Sequence, residues 1–208
     1  MDLIDITRSL APTTAVWPGD QPVEWSWTAR IEEGASVNLG AVKTSTHAGT
    51  HVDAPYHVRE SGPRTEELGL SPFVGPAEVI SVEHADAIRP NDVSDVRTPR
   101  ILFKTSASKV STEDWPASVA PVLPETAELL QEKGVTLIGT DAPSVDPLDS
   151  TSLPGHNALM DAGIVNIEGL NLDSVPPGAY ALLSLPMKLH AADAAPVRAV
   201  LGPTSLFD

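Results

Sequence analysis

The 208-residue sequence contains no cysteine, which excludes disulfide bonds and thiolate metal ligands. It is also poor in aromatic residues (4%) and in basic ones, with 13 Lys and Arg against 28 Asp and Glu, so its formal net charge is −15. Nucleic acids and anionic membrane surfaces are bound by basic patches, so we expect neither as a partner. No apolar run approaches the roughly 18 residues of a membrane span. A metal site in this chain would have to use imidazole and carboxylate ligands.

The N-terminal residues, Met1-Asp-Leu-Ile-Asp, lack the basic and apolar regions of a signal peptide, so we expect a cytoplasmic protein. A chain of this length with 41% hydrophobic residues can bury a substantial core. We therefore predict a single domain over residues 1–208. Its 20 prolines indicate many turns and few long helices.

Hydrophobic runs bounded by turn residues predict a chain that is mostly strands. The predicted strands cover residues 3–6, 25–27, 37–42, 77–82, 101–105, 135–140, 164–167, 180–185 and 196–201. The clearest predicted helix covers residues 124–133, because Pro124 opens it and Gly134 follows its end. His84 and His190 have no obvious companions and are predicted to be surface histidines.

The most informative stretch lies between His47 and His57 and also contains His51 and Asp53. All four residues have odd numbers, so an extended chain would present them on one face. A straight strand would still separate His47 from His51 by roughly 13 Å, whereas the ligands of one ion lie within about 2.0–2.2 Å of it. We therefore predict a metal-binding loop that bends at Gly49. The alternative is that these histidines have structural roles.

A second candidate pair, His156 and Glu168, flanks a predicted helix–strand unit. Pro154 opens the helix and Gly163 closes it, before the strand at residues 164–167. The helix would run roughly 10 Å away from His156, and the strand would return about 13 Å to Glu168. If the two elements are antiparallel, His156 and Glu168 lie close together. A metal would then offset the cost of burying the Glu168 carboxylate. An exposed histidine and a strand-end glutamate are the alternative.

Two further groups of residues have an ambiguous pattern. Trp17 precedes Pro18-Gly19, a pair suited to a type II turn, and the local pattern alone would make it a surface ring that caps the core. Trp25 and Trp27 share one face of a predicted strand, which we assign to the core or to an interface.

Three polar residues follow the predicted strand at residues 135–140: Asp141, Ser144 and Asp146. Loops at strand ends often carry ligands, yet these are also ordinary turn residues. We predict that they shape the wall of the site and leave their part in catalysis open.

The segment His47-Ala-Gly-Thr-His51-Val-Asp53-Ala-Pro-Tyr-His57 resembles the His-x-Gly-Thr-His-x-Asp-x-Pro-x-His signature of the cyclase-like metal hydrolases. Within that family the chain is most similar to the bacterial kynurenine formamidases (arylformamidases), nearly from end to end. The resemblance implies an α/β fold: a compact mixed β-sheet swivelling domain of the β/β/α type, with few short helices. It also implies a homodimer that hydrolyses an aryl formamide, N-formyl-L-kynurenine, to L-kynurenine and formate in tryptophan degradation.

The resemblance further implies two divalent ions per chain, zinc by preference and manganese as the alternative. The first ion would have four ligands: His47, His51, Asp53 and Glu168. The second would share both carboxylates and add His156. His57 would transfer a proton to the leaving aniline nitrogen, and Trp17 would stack on the aryl ring.

Two other functions fit the same residues. An isatin-hydrolase-like enzyme, or another cyclic-amide hydrolase of the family, would use the same metals on a different ring. A binding protein without catalysis would use the metal structurally, and its site would be coordinatively closed.

Overall fold

The computed structural model describes residues 3–83 and 86–207, and His84 lies outside this part of the chain. Within it, nine strands form one mixed sheet, and two further strands form a separate hairpin. The strands are β1 (Ile4–Asp5), β2 (Glu24–Ala29), β3 (Leu39–Lys43), β4 (His51–Asp53), β5 (Val74–Ser81), β6 (Arg100–Lys104), β7 (Leu137–Thr140), β8 (Val165–Glu168), β9 (Gly178–Leu183), β10 (Ala194–Pro196) and β11 (Val200–Gly202). The α-helices in the described residues are α1 (Pro124–Glu132) and α2 (Pro154–Asp161), beside several short 3₁₀ turns. The predicted α/β class with few short helices is confirmed.

The large sheet has the order β1-β11-β9-β5-β6-β7-β8-β4-β10. Its centre is parallel, because β5, β6, β7 and β8 pair in sequence order, and both flanks are antiparallel. Parallel neighbours need a crossover connection. Helix α1 lies in the crossover from β6 to β7, and α2 lies in the crossover from β7 to β8. The second crossover is the one that carries His156 towards the sheet.

The predicted strand at residues 196–201 is wrong as a single element. Its first part belongs to β10, which pairs with β4, and its last part belongs to β11, which pairs with β9 and β1. These strands stand near opposite ends of the sheet order, yet only residues 197–199 connect them. Such a link spans at most roughly 14 Å, so the sheet must curl until its two ends approach one another. The apolar run is continuous in sequence, but its first and last residues pair with different strands.

Both faces of the sheet are buried, which the alternation within β6 makes visible. Ile101 and Phe103 belong to one apolar cluster, together with Leu130 of α1 and Leu159 of α2. Leu102 points the other way, into a cluster that includes residues from both flanks of the curled sheet. The helices therefore cover one face, and the curled sheet encloses the other.

The hairpin of β2 and β3 lies outside this core. Trp25 and Trp27 are 52% and 47% exposed and pack edge to face at 5.5 Å between ring centroids. Their assignment to the core is therefore wrong within the chain, since no second layer covers the two-stranded sheet in the described residues. The assignment to an interface stays a prediction.

In residues 3–83 and 86–207, no helix combines the length and the apolar character that crossing a membrane requires.

Candidate metal centre

The predicted bend in the histidine-rich segment is present at Gly49. Its φ of +66° is a left-handed conformation, which glycine adopts without the steric cost of a Cβ. A Cβ there would also come within 2.7 Å of the Leu10 side chain. The bend turns the His47 ring back to 5.0 Å from the His51 ring, between centroids, and the chain then enters β4.

Strand pairing places the first half of the centre opposite the second half. β4 pairs with β8 in an antiparallel register that sets His51 directly across from Glu168. Asp53 points to the same face of β4 as His51, because the two are separated by one residue. Helix α2 brings His156 to the same place, with Nε2 3.3 Å from Glu168 Oε1, as the helix–strand argument predicted.

Each carboxylate presents one oxygen to each side of the centre. On one side, His51 Nε2 lies 3.4 Å from Asp53 Oδ1 and 3.6 Å from Glu168 Oε2. On the other side, His156 Nε2 lies 3.4 Å from Asp53 Oδ2 and 3.3 Å from Glu168 Oε1. We call these the His51 side and the His156 side. Each carboxylate therefore faces an imidazole on both sides of the centre.

The spacing and the unmet bonds of these atoms fit a metal. Ligands that surround an ion tetrahedrally at about 2.1 Å lie about 3.4 Å from one another, whereas hydrogen-bonded atoms lie about 2.7–3.2 Å apart. The four distances of 3.3–3.6 Å match the first value, whereas His47 Nδ1 lies 3.0 Å from Asp53 Oδ1, within the second range. Among the described residues, His51 Nε2 is also buried without a hydrogen-bond partner, a costly state that a cation would relieve. The donor set of histidines and carboxylates therefore suits a divalent ion.

The groups of the centre perturb one another's ionisation. Burial acts to lower the pKa of the His47 imidazole, but its contacts with Asp193 and Asp53 outweigh burial and raise that pKa to about 10. For His156, burial is likewise outweighed, by the carboxylates of Asp146, Asp53 and Glu168, and its pKa rises to about 12. Burial acts to raise the pKa of Asp53, yet contacts with the surrounding imidazoles hold it well below 3.8. Without metal, the imidazoles thus serve as the counter-charges of the carboxylates.

Asp146 holds His156 in place and, because it is fully buried, does not line the cavity wall as predicted. Its carboxylate lies 2.7 Å from His156 Nδ1 and also accepts the backbone N–H groups of Gly155 and His156. The Nδ1–H therefore points at Asp146 and directs Nε2 towards the centre, an arrangement typical of metal-ligating histidines. His51 is oriented in the same way by the Gly49 carbonyl, 3.1 Å from its Nδ1.

Asp141 and Ser144 also lie at the site but make different contacts. The Asp141 carboxylate accepts hydrogen bonds from the backbone and side chains of Thr105 and Ser108. Ser144 Oγ accepts the backbone N–H of Asp146. Both residues line the same cavity as the centre, which agrees with the predicted role in its wall.

Sequence reasoning missed Asn166, which donates from Nδ2 to Asp53 Oδ2 at 2.9 Å and to Glu168 Oε1 at 3.3 Å. The signal was available, since Asn166 precedes Glu168 by two residues and therefore shares its face of β8.

Sequence reasoning also missed Asp193, which precedes β10 and approaches two histidines of the loop. Its Oδ2 lies 2.9 Å from His47 Nε2 and 3.6 Å from His57 Nδ1. Ligand atoms of His47, His57 and Asp193 lie within 4.8 Å of one another, as do those of Asp53, His57 and His156. No local pattern could indicate Asp193, because it lies far along the chain from both histidines.

The centre opens into a cavity of about 490 Å³, a size typical of small-molecule sites. His57, which is partly exposed, lines this cavity together with Trp17. Trp115 lines it as well and meets Trp17 edge to face at 5.4 Å between centroids. The sequence offered a clue to Trp115, because Trp115-Pro116 repeats the Trp-Pro pair of Trp17-Pro18.

Comparison with known proteins agrees with this geometry. The Cyclase family model matches residues 4–147, a stretch that includes the whole histidine-rich loop. The chain belongs to the Cyclase family. It is 56% identical over 206 residues to the kynurenine formamidase of Salinibacter ruber, with 97% of each chain covered. It is 39% identical over 203 residues to the kynurenine formamidase of Bacillus cereus, covering 96% of this chain and 97% of that one.

Solved structures share the fold of this chain. A structure described as a potential metal-dependent hydrolase with cyclase activity shares 29% identity, with 96% of each chain covered and a TM-score of 0.82. An isatin hydrolase bound to the product analogue thioisatinate has a TM-score of 0.83 at 20% identity, covering 97% of this chain and 92% of that one, and shows the shared fold. The protein is therefore an enzyme of the hydrolase class, with a His and Asp cluster suited to a metal.

Proposed function

We propose that this enzyme hydrolyses N-formyl-L-kynurenine to L-kynurenine and formate, a step of tryptophan degradation. The observation that carries the proposal is a cavity lined at once by the candidate metal centre and by two tryptophan rings. An aryl formamide needs both features, one for the amide and one for the ring. The 56% identity to the kynurenine formamidase of Salinibacter ruber over 97% of the chain supports this substrate.

We propose two divalent ions per chain, zinc by preference and manganese as the alternative. His47, His51, Asp53 and Glu168 would hold the first ion, and His156 would hold the second together with both carboxylates. The division of the carboxylate oxygens between the two sides supports this assignment. Such ions would lower the pKa of a water molecule and polarise the formyl carbonyl.

The remaining chemistry falls to side chains that line the cavity. Trp17 and Trp115 offer aromatic surfaces against which the aryl ring can pack. Hydrolysis forms a bond from a water oxygen to the formyl carbon and breaks the bond from that carbon to the aniline nitrogen. We assign to His57 the transfer of a water proton to that nitrogen, because an imidazole can accept and donate protons near neutral pH.

The experiment that tests the proposal measures hydrolysis of N-formylkynurenine by chelated protein, before and after addition of Zn²⁺ or Mn²⁺. We expect activity to be lost on chelation and restored by metal, at two ions per chain. His57→Ala should lower kcat by about 10²–10⁴-fold while metal stays bound. His190→Ala is the matched control, since that imidazole is 95% exposed, contacts only Glu66 among the charged groups described, and should leave activity unchanged.

Three outcomes would contradict parts of the proposal. If the protein binds two ions but has no formamidase activity, the proposed metal centre stands and the proposed substrate is wrong. Cyclic amides such as isatin would then be the substrates to test. Protein that binds no metal would overturn the proposed chemistry as a whole. His57→Ala protein that retains most of its turnover would remove His57 from the reaction.

We also propose that the chain is a single domain and acts as a homodimer. The single domain is supported by β6, whose two faces contribute to both apolar clusters. The dimer is supported by the exposed rings of Trp25 and Trp27, since solvent exposure of such a pair is costly. Light scattering on the Trp25→Ser, Trp27→Ser protein should detect monomers if this face is the interface. Cytoplasmic location stays a prediction of the sequence.

A further inference from the structure

Asp193 lies between two histidines that we assign to different tasks. One is His47, a proposed metal ligand, and the other is His57, the proposed proton carrier. Their rings are 4.3 Å apart between centroids, tilted by 45°. The single oxygen Oδ2 of Asp193 is near a ring nitrogen of each, at 2.9 Å from His47 and 3.6 Å from His57.

The backbone fixes Asp193 at this place. β4 and β10 are antiparallel, and Ala194 pairs with Asp53. The Asp193 carbonyl accepts the backbone N–H of Ala54, at 2.8 Å, where the chain turns into the short 3₁₀ segment Pro55–His57. Thr46 Oγ1 donates to the second carboxylate oxygen, Oδ1, at 3.0 Å. Oδ1 is therefore anchored by Thr46, which leaves Oδ2 for the imidazoles.

The contact also determines which ring nitrogens remain available. An ionised carboxylate only accepts hydrogen bonds, so the nitrogen that faces it must carry the proton. His47 faces a carboxylate at each ring nitrogen, Asp193 at Nε2 and Asp53 at Nδ1, so a cation that replaced the Nδ1 proton would leave the remaining proton on Nε2. For His57 it is Nδ1, which leaves Nε2 free to exchange a proton within the cavity.

We infer that Asp193 is a positioning residue shared by the metal centre and the proton carrier, setting the tautomer of both His47 and His57. The inference rests on the proposed function, because it assigns the carboxylate a task in the same hydrolysis. The approach to His57 is longer than a hydrogen bond, and catalytic contacts of this kind often shorten only when substrate binds. The Asp193 carboxylate would thus orient both the proton carrier, His57, and the proposed metal ligand, His47.

The test compares two formyl compounds whose leaving groups differ in their need for a proton. Formanilide must release an aniline, which requires protonation, whereas 4-nitrophenyl formate releases a stable phenolate. We expect Asp193→Asn to lower kcat for formanilide by about 10–100-fold, with little change in KM. The ester should lose much less when both proteins are compared at equal metal content. Asp173→Asn, an exposed carboxylate, is the control.

A double variant separates positioning from a general loss of structure. If Asp193 acts through His57, adding Asp193→Asn to His57→Ala should cause little further loss on formanilide at equal metal content. Equal losses on both formyl compounds, or fully independent effects of the two substitutions, would overturn the inference. Asparagine keeps the shape of the side chain, so this variant is expected to fold.

A spectroscopic measurement avoids dependence on turnover. Long-range ¹H–¹⁵N spectra of the histidine rings should show His57 protonated at Nδ1 in the wild type and a changed tautomer in Asp193→Asn. An unchanged His57 ring would overturn the inference. If the wild type hydrolyses neither N-formylkynurenine nor formanilide, the proposed function fails, and the ring spectra still decide the position of His57.

Discussion

The His51 side and the His156 side of the centre are stabilised by different means. On the His156 side, the imidazole is held by the Asp146 carboxylate, and the facing oxygens receive hydrogen bonds from Asn166 and from the Val145 backbone. On the His51 side, a main-chain carbonyl orients the ring, Asp53 Oδ1 lies 3.0 Å from His47 Nδ1, and His51 Nε2 has no hydrogen-bond partner among the described residues. Hydrogen bonds within the protein therefore hold the His156 side, whereas the His51 side keeps a buried imidazole nitrogen that a cation would satisfy.

The largest effect is expected from Glu168→Gln, because this carboxylate belongs to both sides. The amide would supply neither the negative charge nor two equivalent acceptor oxygens. We expect the binding of both ions to be weakened. We also expect kcat/KM to fall by more than the roughly 10–100-fold typical of substitutions at residues that hydrogen-bond to metal ligands. Metal analysis of purified protein, together with kinetics, would check this. Glu128→Gln on the exposed face of α1 is the control, and full metal content in the variant would contradict the bridging role.

A one-sided effect is expected from Asp146→Asn, which removes the charged acceptor of His156 Nδ1–H. We expect affinity for one ion to fall by about 10–100-fold, while the ion on the His51 side binds nearly as before. A metal titration that resolves the two binding steps would measure the difference. Asp149→Asn, three residues further on and exposed, is the matched control. If both steps weaken equally, the two sides are not separable.

The pH dependence of chelated protein would show the charge that both sides carry without metal. The pKa values of His47 and His156 are raised from 6.5 to about 10 and about 12. Between these values the folded chain binds more protons than the unfolded chain, so the free energy of unfolding falls as pH rises. The stabilisation is complete below pH 6.5 and is lost as pH rises through about 10 and then about 12.

Urea unfolding of chelated protein at pH 7 and pH 9 would measure the decrease in the free energy of unfolding. The decrease is at most about 1.4 kcal/mol per pH unit for each imidazole. His47→Gln should remove the part that belongs to the His51 side. Stability that rises over this interval would contradict the assignment of protonated imidazoles as counter-charges.

The smallest effect is expected from Gly49→Ala, on the His51 side alone. The left-handed backbone and the contact with Leu10 should together cost about 1–2 kcal/mol of unfolding free energy. Gly134→Ala is a matched control, since Gly134 also has a left-handed φ, of +75°, but has open space around its Cβ position. Denaturation of both variants would separate strain from the clash. Unchanged metal affinity in Gly49→Ala would show that the bend does not determine the His51 side.

Features that depend on local signals were predictable. The helix predicted at residues 124–133 is α1, at Pro124–Glu132, because proline suits its first turn and Gly134 adopts the left-handed conformation after its end. The bend at Gly49 and the approach of His156 to Glu168 followed from chain geometry over short distances. The division of residues 196–201 between two strands was not predictable, because an apolar run does not record which strand it pairs with.

By itself, the sequence determined the chemistry of the centre: imidazoles and carboxylates without thiols, with a spacing that a bent loop and a helix–strand return can bring together. The tertiary structure alone decided what surrounds these residues. Asp193 approaches His57 only because β10 pairs with β4. Trp115 contacts Trp17 only because the folded chain brings both rings to the same cavity. The physical reason is that local conformation depends on near neighbours, whereas the curl of a sheet joins residues that are far apart in the chain.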